Sequence, residues 1–552
     1  MTFIYRSIRT LFLASAVMVL AGCQDATEPS NTPSASQDAS DEPQQLDTSD
    51  HPLATTQHGP VRGFVEDGVL VFKGIRYGAD TATTRFAPPA PPVAWTEPQD
   101  ALGYGNSAPQ VQRGSIGLFE SWATSQRPEF DEDCLFLNVW TPALADQAKR
   151  PVLVWFHGGG FSSGSGSSNA YDGVRLANRG DAVVVTVNHR LNVFGYLYLD
   201  AFGEQFAGSG NAGMLDLVAS LHWVRDNITE FGGDPDNVLI FGESGGGFKV
   251  STLMSMPAAQ GLFHRAVVQS GPGLRLTTPD QAELGTQALV AELGLDETSI
   301  DQIRSIPADE IQRAALAVAS AGGPRVGSGP VLDGIHNKRH PFATEAPAQS
   351  RDIPLLIGST ATEMSLLAGA RRQELFDLTW ETLPAALEGS MQGVDAARLI
   401  EGYRALHPDI DAGRLYFEAT TDNGVFGRGS FDLADLKAAQ NGASVYQYYL
   451  AWETPIDDGK WGAPHALDIG FVFDNVAKSE SMSGIGEEQQ AIADMMSDAW
   501  LAFARNGDPN HKGLPNWAPY DAERRATMVF DNEPALVDDP IRPELDLLDS
   551  SL

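Results

Sequence analysis

The sequence predicts an α/β fold: a large, mostly parallel central sheet with flanking helices on both faces and helical excursions packed over it. Short apolar runs rich in β-branched and aromatic residues, typical of strands buried on both faces, alternate with stretches of helical spacing. Strands that alternate with helices form a mostly parallel sheet. No segment repeats at a period of about 20–50 residues, which argues against a solenoid or a propeller. The expected strands are Val152–Phe156, Ala182–Asn188, Asn237–Gly242, Arg265–Gln269, Leu355–Gly358 and Ser444–Leu450.

Helical spacing is clearest in two segments. Apolar residues recur at intervals of three and four between Leu217 and Ile228, and the pattern of Glu487–Arg505 ends in the stop signal Asn-Gly-Asp-Pro. Thr277–Arg325 and Gln373–Asp411 also have helical character, and we expect them to be excursions over the sheet. Because no further linker interrupts the chain, we predict one large domain over residues 58–552.

The composition excludes several classes of function. The chain has 552 residues, with 37 lysines and arginines against 72 aspartates and glutamates, and a formal net charge of −35. A surface this acidic repels a phosphate backbone, so nucleic-acid binding is excluded as the main function. The two cysteines, Cys23 and Cys134, are too few for a four-cysteine metal site or a disulfide framework. We expect neither a metal nor an organic cofactor.

The N-terminus has the features of an export signal. Arg6 and Arg9 precede the apolar run Leu11–Leu20, which is too short to span about 30 Å of hydrocarbon. The next residues are Ala, Gly and Cys23, and this ending resembles a bacterial lipobox, in which the cysteine is lipidated and becomes the first mature residue. We therefore expect a signal peptide over residues 1–22, a membrane anchor through lipid on Cys23, and an exported lipoprotein of the outer membrane or cell envelope.

The segment after this cysteine has the composition of a disordered tether. Between Gln24 and Gln57 there is no lysine, arginine or aromatic residue, and Ser, Thr, Pro, Asp and Glu dominate. Such a segment buries too little apolar surface to offset the entropy of ordering. We predict an acidic tether over residues 23–57.

The pattern Gly-x-Ser-x-Gly occurs twice, around Ser162 and around Ser244. A nucleophile elbow is a sharp turn from a strand into a helix, and its flanking glycines allow close backbone contacts. Only Ser244 directly follows a predicted strand and precedes a helix-compatible stretch, Phe248–Met256. We therefore predict Ser244 as the nucleophile. A tight turn without a catalytic role is the alternative, and it is our interpretation of Ser162.

A glycine-rich loop, His157–Phe161, follows one of the predicted strands. Backbone N–H groups in such a loop can donate to the negatively charged oxygen that develops during acyl transfer. The N–H at the start of the helix after Ser244 can do the same. The predicted oxyanion-hole donors are Gly159, Gly160 and Gly245, and a flexible glycine turn is the alternative interpretation of the loop.

A serine hydroxyl is a weak nucleophile without a histidine base and a carboxylate that orients this base. Glu363 follows the predicted strand Leu355–Gly358, at the sheet edge where sites form in α/β proteins. Three histidines come later in the chain: His407 and His511 lie in polar or proline-containing turns, and His465 precedes an apolar stretch. We predict Glu363 and His465 as the partners of the serine. A solvated surface glutamate and a structural loop histidine are the alternatives.

Ordered motifs cover the chain from about Gly59 to Asp531 and resemble the type-B carboxylesterase and cholinesterase family of α/β hydrolases, including bacterial para-nitrobenzyl-esterase-like enzymes. The motifs are Phe72–Tyr77, Arg85–Pro89, Glu132–Asn138, Val154–Phe161, Asn188–Leu191, Trp223–Ile228, Phe231–Pro235 and Ala499–Arg505. The resemblance implies an α/β-hydrolase fold and a serine carboxylesterase that hydrolyses small-molecule esters through an acyl-enzyme. It places the family's catalytic and oxyanion-hole residues on the positions already predicted. Further candidates are Glu243 and Ser270 as supports of the triad, and Trp122 and Phe161 as substrate contacts.

The chain departs from that family at several positions. Gly245 stands where the family usually has alanine, which should loosen the elbow, and Thr and Met flank Glu363 in place of Asp and Gly. Cys134 corresponds to one half of a family disulfide, without a partner cysteine. Trp122 lies near the cholinesterase tryptophan that holds a quaternary ammonium group, so a choline-ester hydrolase is one alternative function. A non-catalytic surface binding protein is the other.

Overall fold

Strands and helices alternate along most of the computed structural model, which describes residues 51–111, 116–124 and 128–552. The strands are β1 (Leu53–Thr56), β2 (Gly59–Arg62), β3 (Phe64–Glu66), β4 (Val69–Arg76), β5 (Gln99–Asp100), β6 (Phe136–Thr141), β7 (Arg150–Phe156), β8 (Val183–Val187), β9 (Gly233–Glu243), β10 (Arg265–Gln269), β11 (Leu355–Thr360), β12 (Val445–Leu450), β13 (Ala526–Phe530) and β14 (Ala535–Asp538). The α-helices are α1 (Val174–Gly180), α2 (Asn192–Tyr196), α3 (Ala212–Asn227), α4 (Gly245–Leu253), α5 (Pro279–Glu292), α6 (Ala308–Ser320), α7 (Leu383–Ser390), α8 (Ala396–Leu406), α9 (Ala412–Asp422), α10 (Gly427–Ala438), α11 (Leu467–Val472), α12 (Glu480–Ser483), α13 (Glu487–Asn506) and α14 (Arg542–Ser551).

Eleven of these strands form one sheet, in the spatial order β14-β13-β12-β11-β10-β9-β7-β8-β6-β4-β3. Every pair from β13 to β8 in that order is parallel, and the pairs at the two ends of the sheet are antiparallel. The mostly parallel sheet is therefore confirmed, and all six expected strands lie in its parallel part. Because parallel strands end at the same edge, the segments that follow β7, β9 and β11 meet there.

The helices also form where the spacing predicts them. α3 and α13 cover the two segments of clearest periodicity, and both bury their apolar faces. The first expected excursion contains α5 and α6, whose Leu289 and Ile311 belong to a small apolar cluster that also includes Phe194 of α2. The second contains α7 and α8. The excursions are therefore helical, and local packing stabilises the first one.

The body of the protein begins earlier than the sequence indicates. β1 pairs antiparallel with β2, and the N–H of Gln57 donates to Asn227 Oδ1 at 2.7 Å. The prediction of a disordered tether is therefore wrong over residues 53–57, because ladder hydrogen bonds and alternate buried side chains order this segment. The predicted signal peptide, Cys23 and the tether up to residue 50 lie outside the described residues. Within the described ranges, no helix is both long and apolar enough to cross a bilayer.

Candidate active site

Ser244 occupies a sharp turn between β9 and α4. Its backbone has φ 56° and ψ −122°, a conformation that non-glycine residues rarely adopt, and its N–H donates to Gln269 O at 2.8 Å. The flanking glycines allow β7 to come close: a Cβ on Gly246 would lie 2.0 Å from Phe156 O, and one on Gly242 would lie 2.6 Å from the same oxygen. Ser244 thus has the geometry of a nucleophile elbow.

The second copy of the pattern forms no such turn. Ser162 is exposed in the loop that follows β7, where its N–H donates to Gly159 O at 3.4 Å. After Ser244, by contrast, the helix begins at once, at Gly245 rather than at Phe248. Close packing of the elbow glycines outweighs their low helix propensity, which is why the sequence pattern starts this helix too late.

Glu363 and His465 form a buried pair. Glu363 follows β11, and its Oε1 accepts a hydrogen bond from the N–H of Thr360 at 2.9 Å. Its Oε2 lies 2.5 Å from His465 Nδ1, and both side chains are almost completely excluded from solvent. The glutamate therefore fixes the ring and leaves Nε2 as the nitrogen that can accept a proton.

A second carboxylate, that of Glu243 directly before the nucleophile, lies close to Nε2 of His465. Glu243 Oε1 lies 3.1 Å from Nε2, although this contact does not have hydrogen-bond geometry. Ser244 and His465 line the same cavity, and both belong to the described part of the chain, but no hydrogen bond joins Oγ to Nε2. The structure thus brings Ser244 and His465 to one cavity, and the buried Glu363 contacts His465 from outside the cavity lining. The bond between glutamate and histidine is formed, and the bond between serine and histidine is open.

The two carboxylates change the acidity of the imidazole. Burial disfavours the charged ring, but Glu243 and Glu363 outweigh this effect and raise the pKa of His465 from 6.5 to about 9. Burial raises the pKa of Glu243 from 4.5 to about 8, although the nearby His465 acts in the opposite direction. Glu243 is therefore part of the site, as the sequence suggests, and it acts on the ring from the side opposite Glu363.

The glycine loop after β7 lies directly on the elbow. Gly159 and Gly160 have φ of +81° and +63°, and both line the cavity that contains Ser244. No described residue accepts a hydrogen bond from the N–H of Gly159, Gly160 or Gly245, so all three predicted donors are free. A Cβ on Gly245 would lie 2.1 Å from Gly160 O. The expectation that this glycine loosens the elbow is therefore wrong, because the loop backbone fills the space.

The cavity has a volume of about 740 Å³, within the usual range for small-molecule sites. Its catalytic wall carries Ser244, His465 and the glycine loop. Two short helical segments each supply two residues of the remaining wall: the 3-10 helix Gly117–Trp122 and the π-helix Ser365–Gly369. Trp122 lines the cavity, as the sequence suggests. The apolar and aromatic lining residues are Ile116, Phe119, Trp122, Tyr171, Leu366, Leu367, Ala370, Ala466 and Ile469.

Two candidate residues lie elsewhere. Phe161 is buried and is not part of the cavity wall; its ring packs against those of Tyr196 and Phe248, with centroids 5.1 and 5.2 Å apart. The prediction of a substrate contact at Phe161 is therefore wrong. The N–H of Ser270 donates to Gly358 O at 2.8 Å, but its buried hydroxyl has no hydrogen-bond partner among the described residues. Ser270 thus supports the sheet edge through its backbone and does not bond the triad.

Sequence reasoning missed the apolar wall that follows Glu363. Leu366 and Leu367 come three and four residues after the acid, in a π-helical turn that carries them into the cavity. Their short distance from a predicted catalytic residue is the one signal that could have found them. Among the residues described, no group of three or more His, Cys, Asp or Glu side chains could hold a metal ion.

Comparisons with known proteins agree with this geometry. A model of the carboxylesterase family matches residues 50–546. The para-nitrobenzyl esterase of Bacillus subtilis (strain 168) is 36% identical over 497 residues, which cover 89% of this chain and 97% of that protein. The phenmedipham hydrolase of Pseudarthrobacter oxydans is 32% identical over 513 residues, 88% of this chain and 96% of that protein. A carboxylesterase structure from Geobacillus stearothermophilus matches with a TM-score of 0.76 at 39% identity, covering 90% of this chain and 99% of that chain.

A strained serine at a strand-to-helix turn, beside a buried histidine and glutamate, defines a serine hydrolase of the α/β-hydrolase fold. The chain belongs to the carboxylesterase family, and it is a serine carboxylesterase. The relatives are named as ester hydrolases, so the alternative of a non-catalytic surface binding protein is not supported.

Proposed function

We propose that this carboxylesterase hydrolyses esters in two steps, through an acyl-enzyme on Ser244. The observation that carries the proposal is the convergence of Ser244, the pair of His465 and Glu363, and the free N–H groups of the glycine loop on one cavity. Each of these parts has a separate role in acyl transfer. Packing alone does not explain this arrangement, because the ionisable His465 and Glu363 are buried beside the partly exposed Ser244.

The first step forms the acyl-enzyme. His465 Nε2 takes the proton of the Ser244 hydroxyl as Oγ attacks the ester carbonyl, so the open hydrogen bond between them closes when substrate binds. The N–H groups of Gly159, Gly160 and Gly245 hold the resulting oxyanion. His465 then gives the proton to the leaving alcohol oxygen, and the C–O bond breaks. Glu363 stabilises the positively charged ring throughout.

The second step reverses these roles with water. His465 takes a proton from a water molecule, whose oxygen attacks the acyl carbon, and the same three N–H groups hold the second oxyanion. The proton then returns to Ser244 Oγ as the carboxylic acid leaves. No step requires a group from outside the chain other than substrate and water.

The cavity favours uncharged esters of moderate size. Its lining includes the apolar side chains of Phe119, Trp122, Leu366 and Leu367. The ionisable side chains in the lining are the buried Glu243 and His465 and the exposed Arg371. Apolar walls bind acyl or aryl groups without directional contacts, so a range of substrates should fit. The para-nitrobenzyl esterase relative is named for an aromatic ester, and an esterase from Clostridium hathewayi with a TM-score of 0.77 and 36% identity is described as hydrolysing aliphatic aromatic polyesters.

Replacement of the nucleophile tests the proposal. Ser244→Ala should lower kcat for p-nitrophenyl butyrate by about 10⁴-fold or more, because it removes the atom that forms the acyl-enzyme. Ser162→Ala is the matched control and should keep wild-type turnover. A fluorophosphonate should label Ser244, and peptide mass spectrometry locates the label. Full activity in Ser244→Ala would contradict the proposal.

We also propose that the protein is an exported lipoprotein held to a membrane of the cell envelope through Cys23. The basic and apolar order of residues 1–22 and the cysteine that follows support this proposal. The acidic segment after Cys23 would then connect the anchor to the catalytic body.

The anchor can be tested in the bacterial cell. Cys23→Ser should move the protein from the detergent-soluble membrane fraction to the aqueous fraction without changing kcat/KM, because the site lies in the folded body. Cys134→Ser is the control: this thiol is completely buried and should not affect fractionation. A Cys23→Ser protein that stays with the membranes would refute the anchor.

A further inference from the structure

α4 carries a lysine that the proposed reaction does not use. Lys249 lies five residues after the nucleophile, its side chain is fully buried, and its Nζ donates a hydrogen bond to His157 O at 2.8 Å. His157 is the residue that opens the glycine loop. An ammonium group is therefore held against the backbone directly before the predicted oxyanion-hole donors.

The surroundings of this ammonium contain few charged partners. The ring centroid of Phe161 lies 5.5 Å from Nζ, and the rings of His157 and His189 stack with centroids 4.9 Å apart. Burial, reinforced by the Lys249 charge, lowers the pKa of both histidines well below 6.5, so both rings are neutral. Glu243 is the acid whose charge acts on Lys249, yet no described carboxylate forms an ion pair with Nζ.

A buried ammonium without a contacting carboxylate disfavours folding. His157 O accepts a hydrogen bond from one of the three N–H groups of the Lys249 ammonium. Burial lowers the pKa of Lys249 from 10.5 to about 7, although the charge of Glu243 acts in the opposite direction. The group therefore loses its charge as the pH rises through neutrality, and the neutral amine can still donate to His157 O. A methionine would fill the same space without this penalty, so the lysine indicates a role in the adjacent site.

We propose that Lys249 is a positioning residue of the oxyanion hole. The hydrogen bond from Lys249 to His157 O fixes the orientation of the peptide group between His157 and Gly158. This orientation sets the direction in which Gly159 and Gly160 approach Ser244. At pH values where Lys249 is protonated, its positive charge beside the same loop also favours the negative oxygen of the tetrahedral intermediate. This inference rests on the proposed acyl-enzyme reaction.

Two substitutions separate the hydrogen bond from the charge. Lys249→Met removes both and should lower kcat for p-nitrophenyl butyrate about tenfold or more with little change in KM, because the loop acts on the transition state. Lys249→Gln keeps an N–H donor without charge and should recover part of this loss. A trifluoromethyl ketone, which forms an anionic tetrahedral adduct on serine, should bind both variants more weakly in proportion to the loss in kcat/KM.

Lys437 provides a matched control. It is another buried lysine, and its Nζ donates a hydrogen bond to the backbone oxygen of Arg351 at 3.2 Å. Unlike the acceptor of Lys249, Arg351 does not belong to the glycine loop, and Lys437 does not line the cavity. Lys437→Met should keep kcat per fluorophosphonate-labelled site. The inference is overturned if folded Lys249→Met keeps the wild-type kcat, or if Lys437→Met loses as much kcat. Should Lys249→Met not fold, Lys249→Leu replaces it, since it also lacks a donor, and wild-type kcat with unchanged ketone binding in that variant overturns the inference equally. Activity in Ser244→Ala would instead refute the underlying reaction.

Discussion

The imidazole of His465 is held between two carboxylates. Glu363 binds Nδ1, and Glu243 approaches Nε2, which is the nitrogen that must take the serine proton. A general base acts only in its neutral form, and the pKa of about 9 means that the neutral fraction of His465 grows as the pH rises towards that value. We therefore expect kcat/KM to rise with pH between neutrality and about 9.

Removal of one of these carboxylates tests this explanation. Glu243→Gln keeps the shape of the side chain but removes its charge, so the pKa of His465 should fall. The acidic limb of the kcat/KM profile should move to lower pH by about 1–3 units, the usual effect of one nearby opposite charge. The profile is measured by titrating the acid released from a butyrate ester of an aliphatic alcohol. An acidic limb at the wild-type position would show that Glu243 does not control the base.

For single residues, the sequence predicts which side chains form the site better than it predicts their protonation states. The turn around Ser244, the position of Glu363 after a strand and the order along the chain locate the three catalytic candidates. The contact between Glu243 and His465 could not be predicted, because it depends on how two loops 222 residues apart meet. Lys249 was also missed, since a lysine in a short helix is usually exposed and only tertiary packing buries it.

The contact between the elbow and the glycine loop constrains both elements. A Cβ on Gly245 would lie 2.1 Å from Gly160 O. Gly245→Ala should therefore push the loop away from Ser244 and lower kcat about tenfold, since one misplaced oxyanion donor costs at least this much. Steady-state kinetics with p-nitrophenyl butyrate measures the effect.

The control for this substitution lies in α7. Gly389 is helical and has open space where the methyl group of an alanine would lie, so Gly389→Ala should keep kcat and slightly raise the unfolding temperature. Wild-type kcat in Gly245→Ala would mean that the loop moves aside without consequence for the reaction.

Among the elements, the buried parallel strands were the easiest to predict. Each is a run of β-branched or aromatic residues with both faces covered, which leaves a continuous apolar signal. β1 was missed for the opposite reason: it has four residues, buries only Ala54 and Thr56, and follows a long polar segment. The start of α4 was displaced because glycine propensity favours a coil, whereas contact with β7 requires glycine in the helix.

The net charge of −35 acts on the molecule as a whole. Such a field raises the local concentration of cations near the protein, and salt screens it over about 10 Å at 0.1 M. We expect kcat/KM for butyrylcholine to fall roughly threefold or more as NaCl is raised from low to high concentration. The uncharged carbon isostere of this ester should show no such dependence.

Trp122→Ala distinguishes this general field from a local ammonium site. The salt dependence should persist in the variant, because the field arises from charges over the whole surface. Loss of the salt dependence in Trp122→Ala would instead support a choline-binding role for this residue, whose ring lines the cavity and packs against those of Phe119 and Tyr171. The composition predicts the sign of the field, but only the fold determines which rings line the cavity.

The strained turn at Ser244 has a consequence for attempts to engineer heat tolerance. A residue held at φ 56° and ψ −122° resists folding by about 1–3 kcal/mol, and the surrounding strands must hold it there. Selection on survival at high temperature alone would therefore favour variants that relax this turn and have lost turnover. A library screened for both properties should leave the elbow unchanged and concentrate its diversity in the outer helices.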